Sequence, residues 1–186
     1  MLGSISKSIT TLVVAVGALL NTNLNPVFNE VNIDYSGKKL TCSAKLDNCY
    51  NEDLNKIFTS GKEIRIDYTI EIISKNKSVI KEKTFYHEFY YDLIDENFII
   101  FLSENERYKV YKNISDLKNH LASIESIVVT EETKLIEEDY FYIKITAEIK
   151  PIYLQSTKKQ FDLLKYWNDK PAVFSSNKLR LKEITR

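Results

Sequence analysis

Apolar and polar residues alternate along most of the chain after residue 26. This period of two is typical of strands that bury one face and expose the other. In the clearest run, KEIRIDYTIEI, five large side chains share one face: Ile64, Ile66, Tyr68, Ile70 and Ile72. A shift of one residue would expose all five, so we expect the register of this strand to be strongly fixed.

The same alternation predicts further strands on both sides of this run. FNEVNIDYSGKKLTCSAKL predicts a hairpin, with Gly37 in its turn. A long strand in the second half of the chain carries Pro151, which indicates an edge or a loosened pairing. The remaining predicted strands are SVIKEKTFYHEFYYD, ENFIIFLSE, RYKVYK, SIVVTEE and DYFYIKITAEIKPIYL.

Three short segments have helical spacing instead. NEDLNKIFTSG begins with the capping residue Asn51 and ends at Gly61. ISDLKNHLASI is expected to be capped by Ser115, with Leu117, Leu121 and Ile124 facing inward. STKKQFDLLKYW is the third segment, with Ser156 or Thr157 as its cap. The sequence therefore predicts a mainly β protein, with α+β as the alternative class: an antiparallel, immunoglobulin-like β-sandwich with two or three short helices.

The N-terminus has a different pattern. ITTLVVAVGALL, residues 9–20, is apolar all round and follows Lys7. About twelve residues are too few to span a bilayer core as a helix, and the positive flank is typical of a secretory signal. We expect residues 1–25 to be a signal peptide, or a membrane anchor if uncleaved, and residues 26–186 to be one β-rich domain. The alternative is a buried N-terminal core helix.

Charge and glycine content exclude several functions. Lys+Arg and Asp+Glu are balanced at 26 each, so the basic excess of a nucleic-acid-binding protein is absent. After the leader only Gly37 and Gly61 remain, too few for a P-loop or a dinucleotide-binding loop. The sequence also lacks H-E-x-x-H and G-x-S-x-G. We expect no enzymatic activity, no cofactor and no metal.

The segment YHEFYYD belongs to a strand with aromatic residues on both faces. Exposed aromatic residues are typical of partner binding, so this strand is the candidate binding face; the alternative is that its rings fill the core. His87 and His120 are expected to have structural or surface roles. The candidate face consists of Phe85, Tyr86, His87, Phe89, Tyr90 and Tyr91.

Cys42 and Cys49 are the only cysteines. Outside the cytoplasm an even pair favours a disulfide, whereas the inward position of Cys42 beside Leu40 and Ala44 favours a buried free thiol. Both alternatives stay open at this point. Acidic residues between Glu131 and Asp139 are expected to form a solvated turn rather than a calcium site.

Several segments occur along the chain in this order: LTCSAKL, TSG, IRIDYTIEI, FYYDLIDENFIIF, ISDLKNHLASI, YFYIKITAEI and LKYW. In this order the chain resembles the DUF4390 family of uncharacterised exported bacterial proteins, over most of its length after about residue 28. It departs from the family at its C-terminal end, where LKYWNDKPAVFSS replaces the tryptophan- and serine-rich end expected there. The resemblance implies an exported β domain and no functional residue.

The leader and the domain together suggest a non-enzymatic cell-envelope protein, periplasmic or secreted and tethered to the inner membrane if the leader is kept. We expect it to bind an envelope protein through a sheet edge or the aromatic strand. If the leader is uncleaved, the protein would contact the membrane through its N-terminal segment. We expect it to bind no nucleic acid.

Two other hypotheses compete with protein binding. The first is a carrier of an apolar ligand, with a cavity lined by Tyr68, Phe85, Phe89 and Phe141. The second, which we rank last, is a hydrolase. Its candidate residues are His87, Glu88 and Asp92.

Overall fold

The computed structural model describes residues 24–36, 38–131, 139–154 and 159–184. Residues 1–23 of the predicted leader lie outside the described residues. Gly37, in the predicted hairpin turn, also lies outside them. In the part of the chain that is described, no helix is both long and apolar enough to cross a membrane.

Strands make up most of the described chain. The strands are β1 (Val27–Ser36), β2 (Lys39–Asp47), β3 (Ile64–Ser74), β4 (Val79–Asp92), β5 (Asn97–Leu102), β6 (Arg107–Tyr111), β7 (Ser123–Thr130), β8 (Phe141–Ile149), β9 (Ile152–Leu154), β10 (Lys159–Phe161) and β11 (Ala172–Ser175). The helices are α1 (Glu52–Phe58), α2 (Ile114–Leu121), α3 (Leu181–Ile184) and a 3₁₀ helix (Leu163–Trp167).

Antiparallel pairing joins these strands into two main sheets. The larger sheet has the order β11-β8-β3-β4-β5-β6, and the smaller has the order β1-β2-β7. A short hairpin of β9 and β10 stands apart from both. The two main sheets form a sandwich-like arrangement, and both contribute to one apolar core.

The strand order resembles that of an immunoglobulin variable-type sandwich, but none of the described strands takes the place of D in the smaller sheet. Strands β1, β2 and β7 take the places of A, B and E, and β8 and β11 take those of F and G. Strands β3, β4 and β5 correspond to C, C′ and C″, and β6 extends that sheet by one strand. The predicted mainly β, immunoglobulin-like sandwich is therefore confirmed.

The centre of the larger sheet follows the predicted alternation. On β3, every side chain from the predicted inner face is fully buried. The pairing with β4 runs in register from Ile64 to Ile72, and β8 pairs on the other side. On β8 the same pattern buries five side chains completely: Phe141, Ile143, Ile145, Ala147 and Ile149. Burial on one face thus fixes the register of both strands.

The first two predicted helices exist, with one boundary corrected. The side chain of Asn51 caps α1 by accepting a hydrogen bond from the backbone N–H of Leu54 at 2.9 Å. For α2 the N-cap is Asn113, so the prediction of Ser115 was wrong by two residues. Ile124 is buried as expected but lies on β7, where it pairs with Ala44.

The third predicted helix was wrong over most of its length. Lys159–Phe161 pairs with Ile152–Leu154 as a β-hairpin, and only Leu163–Trp167 is helical, as a single 3₁₀ segment. Its cap is Asp162; Ser156 and Thr157 lie outside the described residues. Pairing with β9 makes residues 159–161 a strand, and the 3₁₀ segment after them buries Leu163, Tyr166 and Trp167. Strand β11 was not predicted.

The C-terminal region closes one end of the sandwich. The buried indole of Trp167 donates from Nε1 to the carbonyl oxygen of Cys49 at 3.0 Å. The backbone N–H of Leu24 donates to the carbonyl of Tyr166 at 2.8 Å. Leu24, the loop before α1 and the 3₁₀ helix therefore meet at the same end of the domain.

Candidate functional site

The two faces of β4 have opposite environments. Phe85, His87 and Phe89 point into the sandwich and are buried, so they cannot belong to a binding surface of the folded domain. This corrects half of the predicted face. Tyr86 and Tyr90 point outward, and Tyr90 is 37% exposed.

Strands β5 and β6 extend the outward-facing surface of β4. In register across the sheet, Tyr90 lies beside Ile99, which lies beside Val110. One row further along, Phe101 lies beside Tyr108. Tyr108 is 70% exposed and Val110 is 59% exposed. We call this surface the outer aromatic face; it consists of Tyr86, Tyr90, Ile99, Phe101, Tyr108 and Val110.

The rings of the outer aromatic face contact one another. The ring centroids of Tyr86 and Phe101 are 5.9 Å apart, and those of Phe101 and Tyr108 are 4.8 Å apart. The guanidinium of Arg65 lies over the ring of Tyr86, 3.7 Å from its centroid, in a cation–π contact. These contacts order the side chains before any partner arrives, which lowers the entropy cost of binding.

Charged residues border the outer aromatic face on the side of β3. Arg65 forms an ion pair with Asp67 and is directly opposite Glu88 in the sheet. The hydrogen bond that Arg65 donates to Asp67 raises the pKa of Arg65, while burial and the negative charge of Glu63 raise the pKa of Glu88. Arg65 and Asp67 thus border the face on β3 with both signs of charge, whereas Glu88 lies within the face, beside Phe101.

Sequence reasoning missed four members of this face, because they come from two other strands. The run NFIIFL is apolar on both faces, as β4 is, and this was the signal that could have identified Ile99 and Phe101. Tyr108 and Val110 alternate with Arg107 and Lys109 in RYKVY. The sequence does not reveal the strand pairing of β4, β5 and β6 that makes these residues neighbours.

The model of the DUF4390 family, a domain of unknown function, matches residues 25–154. The chain belongs to the DUF4390 family. No curated protein and no solved structure matches it. The matched range contains β1 to β9 and the whole outer aromatic face of this DUF4390 domain.

On the inner face of β4, His87 has partners other than those of the predicted hydrolase site. Its Nε2 lies 3.1 Å from Oε1 of Glu104, and its Nδ1 lies 3.1 Å from the carbonyl oxygen of Leu121. Glu88 is on the opposite face, and Asp92 accepts hydrogen bonds from backbone N–H groups in the next turn. The three residues proposed for hydrolysis are therefore not brought together.

The other histidine of the DUF4390 domain, His120, lies on α2 and is partly exposed. Its ring packs against that of Tyr111, with 5.0 Å between the centroids. His120 thus helps to hold α2 against the end of β6.

The four side chains proposed to line a ligand cavity belong to the packed core of the DUF4390 domain. Tyr68 stacks on Phe85 with 5.3 Å between ring centroids, and its hydroxyl donates to the carbonyl of Leu121. Phe89 packs edge-on against Phe58 at 4.7 Å. Phe141 is fully buried. These four side chains are packed in the core, so they do not line a ligand cavity as the carrier hypothesis proposed.

Both cysteines are free and buried, so the disulfide that the sequence left open is not formed. Cys42 lies in the middle of β2, opposite Ile33 and Ile127, whereas the thiol of Cys49 donates to the carbonyl of Leu46. Burial raises the pKa of both thiols to about 12. They behave as small core residues of low reactivity.

The acidic segment is only partly described. Glu131 pairs with Lys39 at 2.8 Å, and Asp139 pairs with Lys75 at 2.9 Å. Residues 132–138 lie outside the described chain. Within the described residues of the DUF4390 domain, no three His, Cys, Asp or Glu side chains are grouped as metal ligands.

Proposed function

We propose that this DUF4390 protein is an exported, non-enzymatic module of the bacterial cell envelope that binds another protein through the outer aromatic face. The observation that carries the proposal is the face itself. Tyr108 and Val110 are largely exposed although they adjoin other apolar side chains on the same sheet surface. Contiguous exposed apolar surface of this kind marks interaction sites.

The composition of the face favours a protein as the partner. Tyrosine, phenylalanine and arginine are enriched at the centres of protein interfaces and among their energetically dominant residues. Arg65 and Asp67 form an ion pair at the border of the face, and the rim of a protein interface is polar in the same way.

The exported location is supported by the leader. Residues 9–20 are apolar and follow a lysine, and no acidic residue precedes Glu30. Cell fractionation combined with N-terminal sequencing of the mature protein tests this part of the proposal. We expect extracytoplasmic protein, with the leader removed or retained in the membrane. Intact, untethered chain in the cytosol would contradict it.

Crosslinking in cells tests the binding face. A photo-crosslinking amino acid replaces Val110, and in the matched control it replaces Val173. Val173 is 55% exposed on β11, at the opposite edge of the same sheet surface. We expect a discrete protein adduct from position 110 and none from position 173.

The crosslinked protein is then identified, purified and titrated against the DUF4390 domain. Tyr108→Ala should weaken its binding at least about tenfold, whereas Val173→Ala should leave it unchanged. Any of three results would refute the proposed face. Positions 110 and 173 could give the same adducts, position 110 could give lipid adducts alone, or Tyr108→Ala could leave the affinity for the partner unchanged.

A further inference from the structure

Strand β6 ends the larger sheet, and of the described strands only β5 pairs with it. The pairing is unbroken over five residues, from Arg107 opposite Leu102 to Tyr111 opposite Phe98. A regular edge strand presents a row of backbone N–H and C=O groups on its free side. This edge adjoins the outer aromatic face, to which β6 contributes Tyr108 and Val110.

The other sheet edges are less suited to pairing. Strands β1 and β11, which end the two sheets on the opposite side, pack against each other. Strand β7 pairs with β2 through two register shifts, and bulges of this kind protect an edge strand from pairing. Among the described edge strands of the two main sheets, β6 is thus regular, is not packed against another edge strand, and carries two exposed apolar side chains.

The charge of β6 discriminates between partners. Arg107 and Lys109 lie on the strand, and Lys112 follows it; none of the three forms an ion pair with a carboxylate of the described chain. Exposed carboxylates near the strand are Glu106, in the preceding turn, and Glu125 and Asp116 at its other end, where burial and these two charges raise the pKa of Tyr111. Pairing β6 with a second copy would bring these cations together, and like charges directly across two strands are destabilising.

We propose that β6 is the docking edge for an extended, acidic segment of the partner protein, which adds to the larger sheet as a further strand. This inference rests on the proposed function, because it names the partner's docking segment and its mode of binding. Backbone hydrogen bonds would supply affinity, and alternate side chains would supply specificity. Neighbouring strands lie about 4.8 Å apart, so the outward apolar side chains of the segment would contact Tyr108 and Val110.

Peptides test the docking edge with the intact domain. The probe is a short peptide in which glutamate alternates with valine and tyrosine. One control peptide has lysine in place of glutamate, and a second has proline at alternate positions, which removes backbone donors. Binding is followed by the shifts of backbone amide signals in NMR spectra and by the hydrogen exchange of the β6 amides.

We expect the acidic peptide to shift and protect the β6 amides, and to bind at least about tenfold more tightly than either control. Arg107→Glu combined with Lys112→Glu should reverse the preference between the acidic and lysine peptides. Lys165→Glu, an exposed change on the 3₁₀ helix, should not. If the reversed variant fails to fold, Arg107→Gln with Lys112→Gln should still abolish the preference.

Three results would overturn the inference: equal binding of acidic and lysine peptides, shifts without protection of β6 amides, or dimerisation of the domain through β6. Crosslinking from Val110 without any peptide binding would refute the docking edge and leave the proposed function standing. Peptide binding without a crosslinked protein in cells would refute the proposed function and leave the chemistry of the edge intact.

Discussion

The hydrogen bond between His87 and Glu104 gives the sharpest test of the inner face of β4. The imidazole is fully buried, and both of its nitrogens face oxygen acceptors. The carbonyl of Leu121 can only accept, so Nδ1 carries a proton. The partner of Nε2 is the carboxyl group of Glu104, and a hydrogen bond to an ionised carboxylate is charge-assisted.

Glu104→Gln keeps the shape of the side chain and an acceptor oxygen but removes its charge. A hydrogen bond to a charged group contributes about 1.5–3 kcal/mol and a neutral one about 0.5–1.5 kcal/mol. The substitution should therefore lower the free energy of unfolding at pH 7 by about 1–1.5 kcal/mol. In a chain of this size the corresponding decrease in Tm is about 2–6 °C.

The effect of the substitution should depend on pH. Burial pushes the pKa of Glu104 upward, but the hydrogen bond and positive charge of His87, with Lys109 nearby, outweigh burial and lower it. A carboxyl whose pKa is depressed in the folded state stabilises the protein above its unfolded pKa, about 4.3 for glutamate. This contribution is lost as the pH falls through the lower, folded pKa.

Urea unfolding of wild type and Glu104→Gln, followed by circular dichroism from pH 7 to pH 3, measures this difference. The stability gap should close below about pH 4, as wild-type Glu104 binds a proton. Glu106→Gln is the control, because Glu106 is exposed in the same turn and should show no gap. Equal stability at pH 7, or a gap unchanged at pH 3, would refute the charge-assisted bond.

Three further predictions concern the core and the backbone. Phe89→Ala should lower the free energy of unfolding by about 3–5 kcal/mol, whereas Tyr108→Ala, on the other face where the side chain is 70% exposed, should change it by at most about 1 kcal/mol in urea titrations. Gly61→Ala should destabilise by roughly 1–2 kcal/mol, because φ is +73° there. Cys42 and Cys49 should resist a thiol reagent at pH 8 until the protein is unfolded, and a reductant should leave Tm unchanged; fast labelling of the native protein would contradict their burial.

Strong one-sided patterns made the centre of the fold predictable. On β3 the inner residues, from Ile64 to Ile72, alternate with charged or polar ones, so only one register buries them. The segment from 156 to 167 also had helical spacing, but the return of the chain after Pro151 pairs Lys159–Phe161 as a strand. Tertiary pairing there overrides local preference.

The candidate site was harder to predict than the fold, for a physical reason. A strand with aromatic residues on both faces does not reveal which face the opposite sheet covers, so Phe85 and Tyr86 look alike in the sequence. The contact of Tyr108 with Phe101 depends on the register between β5 and β6. The bond of His87 to Glu104 likewise joins residues that only the sheet pairing brings together.

The two faces of the larger sheet can therefore be assigned different roles on energetic grounds. Burying an apolar side chain stabilises the fold by roughly 25 cal/mol per Å² removed from water, so Tyr68, which is fully buried, contributes to folding. Tyr108 keeps most of its surface in water in the folded domain, and its large apolar ring contributes little to folding. The same area is still available to stabilise a complex. A variant of Tyr108 that folds normally but no longer binds would separate the role of the outer aromatic face from that of the core.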